Sequence, residues 1–282
     1  MKHEDNPRSI KYYIKRYLYQ NKEWYKNKEV VDFPAGNGVT SRLLLDVGAK
    51  PVPMDLFPEY FSIEGLTCKR ADIAKGIPAD SGSIDALICQ EGLEHFSDQL
   101  EALKHFNTVL RPGGKLVITV PNYSNIQSRL SYFLTESEKF NSVMPPNELD
   151  SIWMKGDDKE GSIYYGHIFL IGFQKLRVLA KLAGFKIHEV HKTKTKSTSL
   201  ILLPFYYPFI ALSNFITYKK RLRKNKDYSL ERKKEVYGEQ FQYGLNLKIL
   251  LGGHLMIEFT KECEINEVAS SLKSQHKEFG ET

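Results

Sequence analysis

The 282-residue sequence predicts an α/β fold, a doubly wound and mostly parallel sheet with helices on both faces. Three observations predict it. Short apolar runs at residues 30–33, 86–89 and 115–120 recur between stretches of helical periodicity. These runs are continuous rather than alternating, as strands buried on both faces require. The first run ends in a glycine-bearing turn, Pro34-Ala35-Gly36-Asn37-Gly38, that opens a helix. Ligands of open α/β sheets approach at such turns, at the carboxyl ends of the strands.

The elements follow in order. Residues 8–20 place Ile10, Tyr13, Ile14, Tyr17 and Leu18 at helical spacing, with Lys and Arg on the other side. This predicts a basic amphipathic helix in an N-terminal region, residues 1–28, ahead of the main domain at residues 29–260. Residues 40–47 are a helix ended by Gly48, and residues 50–54 a second strand. Residues 99–110 are a helix with Leu100, Leu103, Phe106 and Leu110 on one face. It stops at Arg111-Pro112-Gly113-Gly114, where proline and paired glycines end a helix and begin a turn. Residues 121–165 hold Pro121, Pro145, Pro146, Trp153 and several tyrosines, and read as a lid. Residues 173–183 are a helix ended by Gly184, residues 185–190 a strand, and residues 254–260 the last strand. Residues 192–252 form a helical insert, and the polar tail at 261–282 is expected to fray.

Composition narrows the classes. Hydrophobic residues at 41% and charged residues at 26% are the balance of a globular chain, not a disordered one. Three cysteines, Cys68, Cys89 and Cys263, lie too far apart for a disulfide framework or a CxxC zinc site. They fit a reducing compartment, and no apolar secretory segment is read in the first thirty residues, so a cytoplasmic setting is expected. The net charge is +6, but it is segregated. Residues 1–28 carry net +5, residues 29–191 net −5, residues 192–235 net +9 and residues 236–282 net −3.

Residues 30–57 carry the clearest chemistry. A buried strand ends in Asp32, small residues at Ala35, Gly36 and Gly38 let a ligand approach the backbone, and the second strand ends in Asp55. An acidic group one strand over can accept hydrogen bonds from ribose hydroxyls. The set resembles the class I S-adenosylmethionine (SAM)-dependent methyltransferases over about residues 29–122, extended by later elements to about 190. Asp32, Ala35, Gly36 and Gly38 fall on the family's first motif. Residues 85–90 and the run LRPGGKLVITVPN, residues 110–122, resemble its fourth and post-fourth motifs. The resemblance implies a Rossmann-like, seven-stranded mostly parallel sheet and SAM as cofactor. It assigns ribose binding to Asp55 with Leu56 beside it, adenine contacts to Asp72 and Ile73, and a pocket position to Gln90. One position departs: the first motif glycine is Pro34, and proline cannot adopt a positive φ.

The segment QEGLEHF, residues 90–96, follows the fourth strand, where the methyl donor is expected to lie. Two readings stand. Either Glu94 and His95 shape the SAM pocket, or Glu91, Glu94 and His95 join His167 as ligands of a divalent metal such as Mg²⁺. The second reading rests on a likeness to the metal motifs of ubiquinone-pathway O-methyltransferases and small-RNA 2′-O-methyltransferases. Without a metal, His95 or His167 could serve as general base, since an imidazole titrates near neutrality. Tyr123, Trp153, Tyr164 and Tyr165 are candidate lid aromatics. The Val120-Pro121-Asn122-Tyr123 run follows the fifth strand rather than the fourth, so amino-group methylation is not supported.

Residues 197–218 contain no charged side chain, and Lys and Arg crowd both flanks. Pro204 and Pro208 predict two short pieces rather than one straight helix. Clustered cations beside apolar residues suit a membrane surface, so peripheral contact with the inner face through residues 197–226 is expected, ahead of nucleic acid. The alternative is a buried helix pair on the catalytic domain. The family resemblance, taken with the insert, implies O-methylation of a small or lipid-linked acceptor, a sugar hydroxyl of an envelope glycan first and a quinone-like phenol close behind. An RNA 2′-O-methyltransferase and a non-catalytic scaffold of the same fold are the alternatives.

Overall fold

The computed structural model describes residues 2–137, 145–154, 163–224 and 228–273. The chain opens with α1 (Ile10–Gln20) and the short α2 (Lys22–Tyr25), and α1 is capped where the Ser9 side chain accepts Lys11 N–H. Alternation then begins: β1 (Glu29–Asp32), α3 (Val39–Asp46), β2 (Lys50–Asp55), β3 (Lys69–Arg70), β4 (Ile84–Gln90), α4 (Gln99–Val109) and β5 (Leu110–Pro121). After β5 come α5 (Ile126–Thr135) and a hairpin of β6 (Ile152–Met154) and β7 (Ile163–Tyr165). The chain returns through α6 (Phe173–Leu182) and β8 (Phe185–Val190), and passes along α7 (Ser197–Arg223), α8 (Leu230–Gly244) and α9 (Leu247–Leu251). It closes with β9 (His254–Lys261) and α10 (Ile265–Lys273).

Seven strands form one sheet in the order β3-β2-β1-β4-β5-β9-β8. The pairs from β3 to β5 are parallel, and β9 runs antiparallel to both β5 and β8. The doubly wound, mostly parallel sheet expected from the sequence is therefore present. Successive side chains on each strand point to opposite faces, and both faces are apolar. On one side Val31, Leu87, Cys89, Leu116, Ile118, Ile257 and Phe259 pack with Leu103 and Phe106 of α4 and Leu176 of α6. On the other, Val30, Ala86, Ile88, Val117 and Met256 pack with Ile14, Tyr17 and Leu18 of α1 and Leu43 and Leu44 of α3.

The basic N-terminal helix is thus a part of the core rather than a separate attachment. Its apolar stripe supplies one layer of the second face, and its cations line the outside. Glu4 pairs with Arg42 of α3, which ties the segment before α1 to the domain. The Tyr17 and Tyr25 hydroxyls meet at 3.1 Å beneath it.

Three expectations are corrected. β5 begins at Leu110 rather than 115, because the Arg111–Gly114 stretch stays beside β4 through a register shift opposite Ile84 and Ala86. The insert is not broken at its prolines: α7 is one helix of 27 residues with Pro204 and Pro208 inside it. The two prolines are four residues apart and exposed, on one side of the helix. The carbonyls they leave without a donor, those of Leu200 and Pro204, sit on exposed residues where solvent can satisfy them. The polar tail does not fray throughout. Residues 265–273 form α10, which buries Val268 against the domain, while residues 274–282 fall outside the described residues. Within the expected lid, residues 138–144 and 155–162 also lie outside them, as do residues 225–227 of the insert.

If α1 is part of the core, Leu18→Ala should cost about 2–5 kcal/mol of unfolding free energy. Urea denaturation of both proteins measures this. A loss below about 0.5 kcal/mol, the usual range for a surface substitution, would show that the helix is dispensable.

Candidate functional site

The crevice lies at the carboxyl ends of β1, β2 and β4. β1 runs into the turn through a cis Phe33–Pro34 peptide. The Pro34 ring sits where Gly92 has no side chain, and a Cβ at residue 92 would collide with it. The motif position that departs from the family is thus accommodated by a glycine on the facing loop. Gly36 (φ +51°) and Gly38 (φ +86°) adopt left-handed conformations that other residues rarely take.

The turn is held from below and from the side. The Asp55 carboxylate accepts Gly36 N–H at 2.7 Å and Phe57 N–H at 2.8 Å, so the end of β2 and the turn after β1 share one anion. Ala35 N–H donates to the Met54 carbonyl at 2.9 Å. Asp32 is fully buried and accepts Ser41 Oγ–H at 2.7 Å. It braces the start of α3 rather than opening onto the crevice. Burial pushes its carboxyl up to about 7, although the Ser41 hydroxyl and backbone donors favour the anion. The Gln90 side-chain carbonyl accepts Thr40 Oγ–H at 2.9 Å.

The remaining expected cofactor residues sit at the rim. Asp72 accepts Ala74 N–H at 3.1 Å and pairs with Lys75 at 3.6 Å. Leu56 offers its carbonyl to Arg70 at 2.7 Å, and Ile73 is half-buried beside Asp72. Sequence reasoning missed Phe61 and Ile63. Both side chains stand over Gly38, where a Cβ would meet them, and Ser62 Oγ–H donates to the Asn37 carbonyl at 3.2 Å. The loop after β2 therefore folds across the glycine turn. It lacks periodicity, so no sequence pattern could have announced the contact.

After β4 the expected metal ligands divide. Glu94, His95 and His167 come together, with one ligand atom from each lying within 4.8 Å of the others. Glu91 does not join them. Its carboxylate accepts Thr119 Oγ–H at 3.0 Å and lies 3.4 Å from His254 Nε2. The reason is backbone geometry: Glu91 adopts a positive φ of 50°, which turns it toward β5 and β9. Four ligands were expected, and three converge.

Glu94 is wholly buried, with no hydrogen bond to either carboxylate oxygen among the described residues, and burial followed by the nearby Glu91 charge raises its pKa. His95 Nδ1 lies 2.8 Å from the Tyr165 carbonyl. A carbonyl only accepts, so Nδ1 carries the proton, and in the neutral ring Nε2 holds the lone pair. The His167 and Trp153 rings lie 5.2 and 5.6 Å from His95. One buried carboxylate with two imidazoles is a donor set that fits a divalent cation, and the unsatisfied Glu94 oxygens are what such an ion would complete.

The β6–β7 hairpin supplies the roof. Tyr164 packs edge-on against Phe57 at 4.8 Å, and the Tyr165 carbonyl holds His95, so the hairpin reaches from the β2 side to the β4 side. Of the expected lid aromatics, Trp153, Tyr164 and Tyr165 belong to this hairpin. Tyr123 instead stands where Gly172 lacks a side chain, beneath the start of α6.

A parallel sheet with a glycine turn after β1 and a carboxylate at the end of β2 defines a nucleoside-binding α/β domain. Comparison with known proteins then identifies it: the chain belongs to the methyltransferase-domain family, whose model matches residues 3–190. It is similar to a ubiquinone biosynthesis O-methyltransferase of Xanthomonas campestris, 29% identical over 102 residues that are 33% of this chain and 43% of that protein. It is also similar to a protein of the same name from Colwellia psychrerythraea, 24% identical over 52% of this chain and 65% of that one. The alignments thus span less than two thirds of either relative. Among solved structures it shares its fold with a SAM-dependent methyltransferase from Archaeoglobus fulgidus, at TM-score 0.51, 14% identity, 92% of this chain and 97% of that chain.

Asp32 gives a pH-dependent stability. Its folded value of about 7 exceeds the ordinary 3.8, so the folded state keeps a proton that the unfolded chain releases. Stability from this group is present below about pH 4 and is lost as pH rises toward 7, by about 1.4 kcal/mol per unit at most. Urea titrations at pH 5 and pH 8 should show a smaller drop for Asp32→Asn than for wild type. Equal drops would mean that Asp32 is ionised in the fold.

Proposed function

We propose that the protein is a SAM-dependent methyltransferase that methylates a hydroxyl of a small or lipid-linked acceptor, with a quinone-like phenol favoured over a sugar. The observation that carries this reading is the juxtaposition under one hairpin of the glycine–Asp55 crevice and the Glu94–His95–His167 cluster. Family membership and the SAM-dependent fold neighbour support the cofactor. The names of the relatives, ubiquinone biosynthesis O-methyltransferases, support the acceptor class.

SAM supplies an electrophilic methyl group on a sulfonium. The residues of this chain do the rest by position and proton handling. Gly36 and Gly38 leave backbone room for a nucleoside, and Asp55 is an anion at the height of a ribose, already oriented by two backbone donors. Asp72 and Ile73 line the rim on the adenine side, and Gln90 closes the floor. Phe57, Trp153 and Tyr164 offer aromatic faces to a ring-shaped acceptor. Without a metal, His95 Nε2, with Nδ1 donating to the Tyr165 carbonyl, takes the hydroxyl proton. With one, the same Nε2 would join Glu94 and His167 in holding a divalent cation, which would acidify a bound hydroxyl. Approximation of two bound reactants supplies most of the remaining acceleration.

Calorimetry with SAM tests the cofactor. Wild type should bind, and Asp55→Ala should bind about tenfold to a hundredfold more weakly, the worth of hydrogen bonds to a charged group. Circular dichroism checks that the variant is folded. No heat of binding at millimolar SAM would sink the enzyme reading and leave a scaffold. The cation is tested separately, with a catechol as acceptor. Chelator and Glu94→Gln should each cost activity to a similar extent. Activity indifferent to chelator but lost in His95→Gln would leave His95 acting as base alone.

A further inference from the structure

One surface is unlike the rest. Helix α7 is 27 residues, about 40 Å at 1.5 Å per residue, and Ser199 is its only buried residue. Among the described residues it is the helix long and apolar enough to cross a membrane, with mean hydropathy 1.6 over its most apolar 18 residues and none of that window buried. Ile201, Phe205, Phe209, Leu212 and Ile216 follow at intervals of four, four, three and four. At 100° per residue they fall within one arc of about 80°. Exposure of 68% at Ile201, 67% at Phe205 and 72% at Phe209 shows this arc facing outward. A soluble monomer does not keep such a continuous stripe uncovered.

Cations stand at both ends of the stripe. Lys219 and Arg223 continue the same helical face past Ile216, with Lys220, Arg221 and Lys224 around them, all exposed. At the other end, Lys192 and Lys194 lead into α7 and line a cavity of about 680 Å³ with Arg8 and Arg16. The acidic member of that cavity, Glu189, is paired with Lys248 at 3.0 Å. An apolar stripe flanked by positive charge is complementary to an anionic bilayer surface, with acyl chains under the stripe and headgroups beside the cations.

The fold also decides the pose. α8 packs against the C-terminal half of α7, with Tyr218 stacked on Phe241 at 5.4 Å and Asn214 set against Gly244. α8 is held in turn to the domain, with its Glu239 paired to Arg177 of α6 at 2.7 Å and its Tyr243 packed on Phe173 of α6 at 4.8 Å. A spanning pose would draw that ion pair and the surface of α6 into hydrocarbon, which is prohibitive. We propose that α7 lies in the plane of an anionic membrane surface and docks the enzyme there by the Ile201–Phe205–Phe209–Leu212–Ile216 stripe. This goes beyond the methyl-transfer reading and does not depend on it.

The test is vesicle flotation of the full chain, added without detergent to preformed vesicles. Phosphatidylcholine vesicles containing phosphatidylglycerol should carry the protein at least about tenfold better than phosphatidylcholine alone at low salt. The double variant Phe205→Glu, Phe209→Glu should lose about tenfold or more of that binding, with unchanged melting temperature because both side chains are exposed. Lys219→Glu, Arg223→Glu should reduce the preference for anionic lipid. SAM titration of the same variants should match wild type, which separates failure of docking from failure of the enzyme reading. Three outcomes would overturn the proposal: no flotation, flotation that the double Glu variant retains, or a dimer in light scattering that this variant makes monomeric. The last would assign the stripe to a second copy of the chain.

Discussion

The hydrogen bond from Gly36 N–H to the Asp55 carboxylate links the turn after β1 to the end of β2, and the geometry of the crevice depends on it. Both faces of the sheet are covered, one by α4 and α6 and the other by α1 and α3, so a ligand can reach it only at the strand ends. There the chain must turn sharply without a side chain in the way. Gly36 and Gly38 provide the turn, and Asp55 fixes its height. Asp32, buried away from solvent, holds Ser41 and so the axis of α3. The carboxylates at the two strand ends therefore act differently. Asp32 braces the helix, and Asp55 holds the turn and the loop after β2 through two backbone donors.

Much of this was legible because it is periodic or local. Strand runs, helix faces and the glycine turn each occupy a few consecutive residues, and the structure places β1, β2, β4, α4, α6 and β8 within a few residues of where periodicity put them. The convergence of His167 on Glu94 and His95 was legible only through resemblance, since about seventy residues of chain separate them. What the sequence could not show were contacts between aperiodic loops. Phe61 and Ile63 over Gly38, and Tyr164 against Phe57, depend on how two irregular segments fold back. Glu91 misled for a local reason. The likeness to family metal motifs put it with Glu94 and His95, but its positive φ turns it to Thr119 and His254.

Proline misled in the opposite direction. Two prolines inside an apolar run argue for a break when the helix must pack, because a missing hydrogen bond and a displaced carbonyl then have no remedy. The side of α7 that carries Pro204 and Pro208 is exposed, so no packing is violated there, and the helix continues through both. The same exposure explains why hydropathy alone could not settle its setting. A run of this composition could be a core helix, a spanning helix or an interfacial one, and only the neighbours distinguish them. The exposure of the whole apolar window is unlike a core helix, and α8, packed alongside and tied to α6 through Glu239 and Arg177, is unlike the surroundings of a spanning one.

The charge of +6 takes its meaning from the same partition. Net charge summed over a chain says little, because cations on a packed helix and cations beside an uncovered apolar stripe act on different partners. Those of α1 are the outer face of a core element: Lys15 pairs with Asp5 at 2.7 Å and Lys11 reaches Asn37 at 3.3 Å. Those at the end of α7 are exposed, and they continue a face whose apolar part is also unmatched. Among the described residues one helix has two unmet requirements, one for apolar cover and one for negative charge, and a single kind of surface meets both. An RNA backbone would answer the charge and leave Phe205 and Phe209 in water, and a second apolar protein face would answer the stripe and leave the cations unopposed. An anionic bilayer answers both.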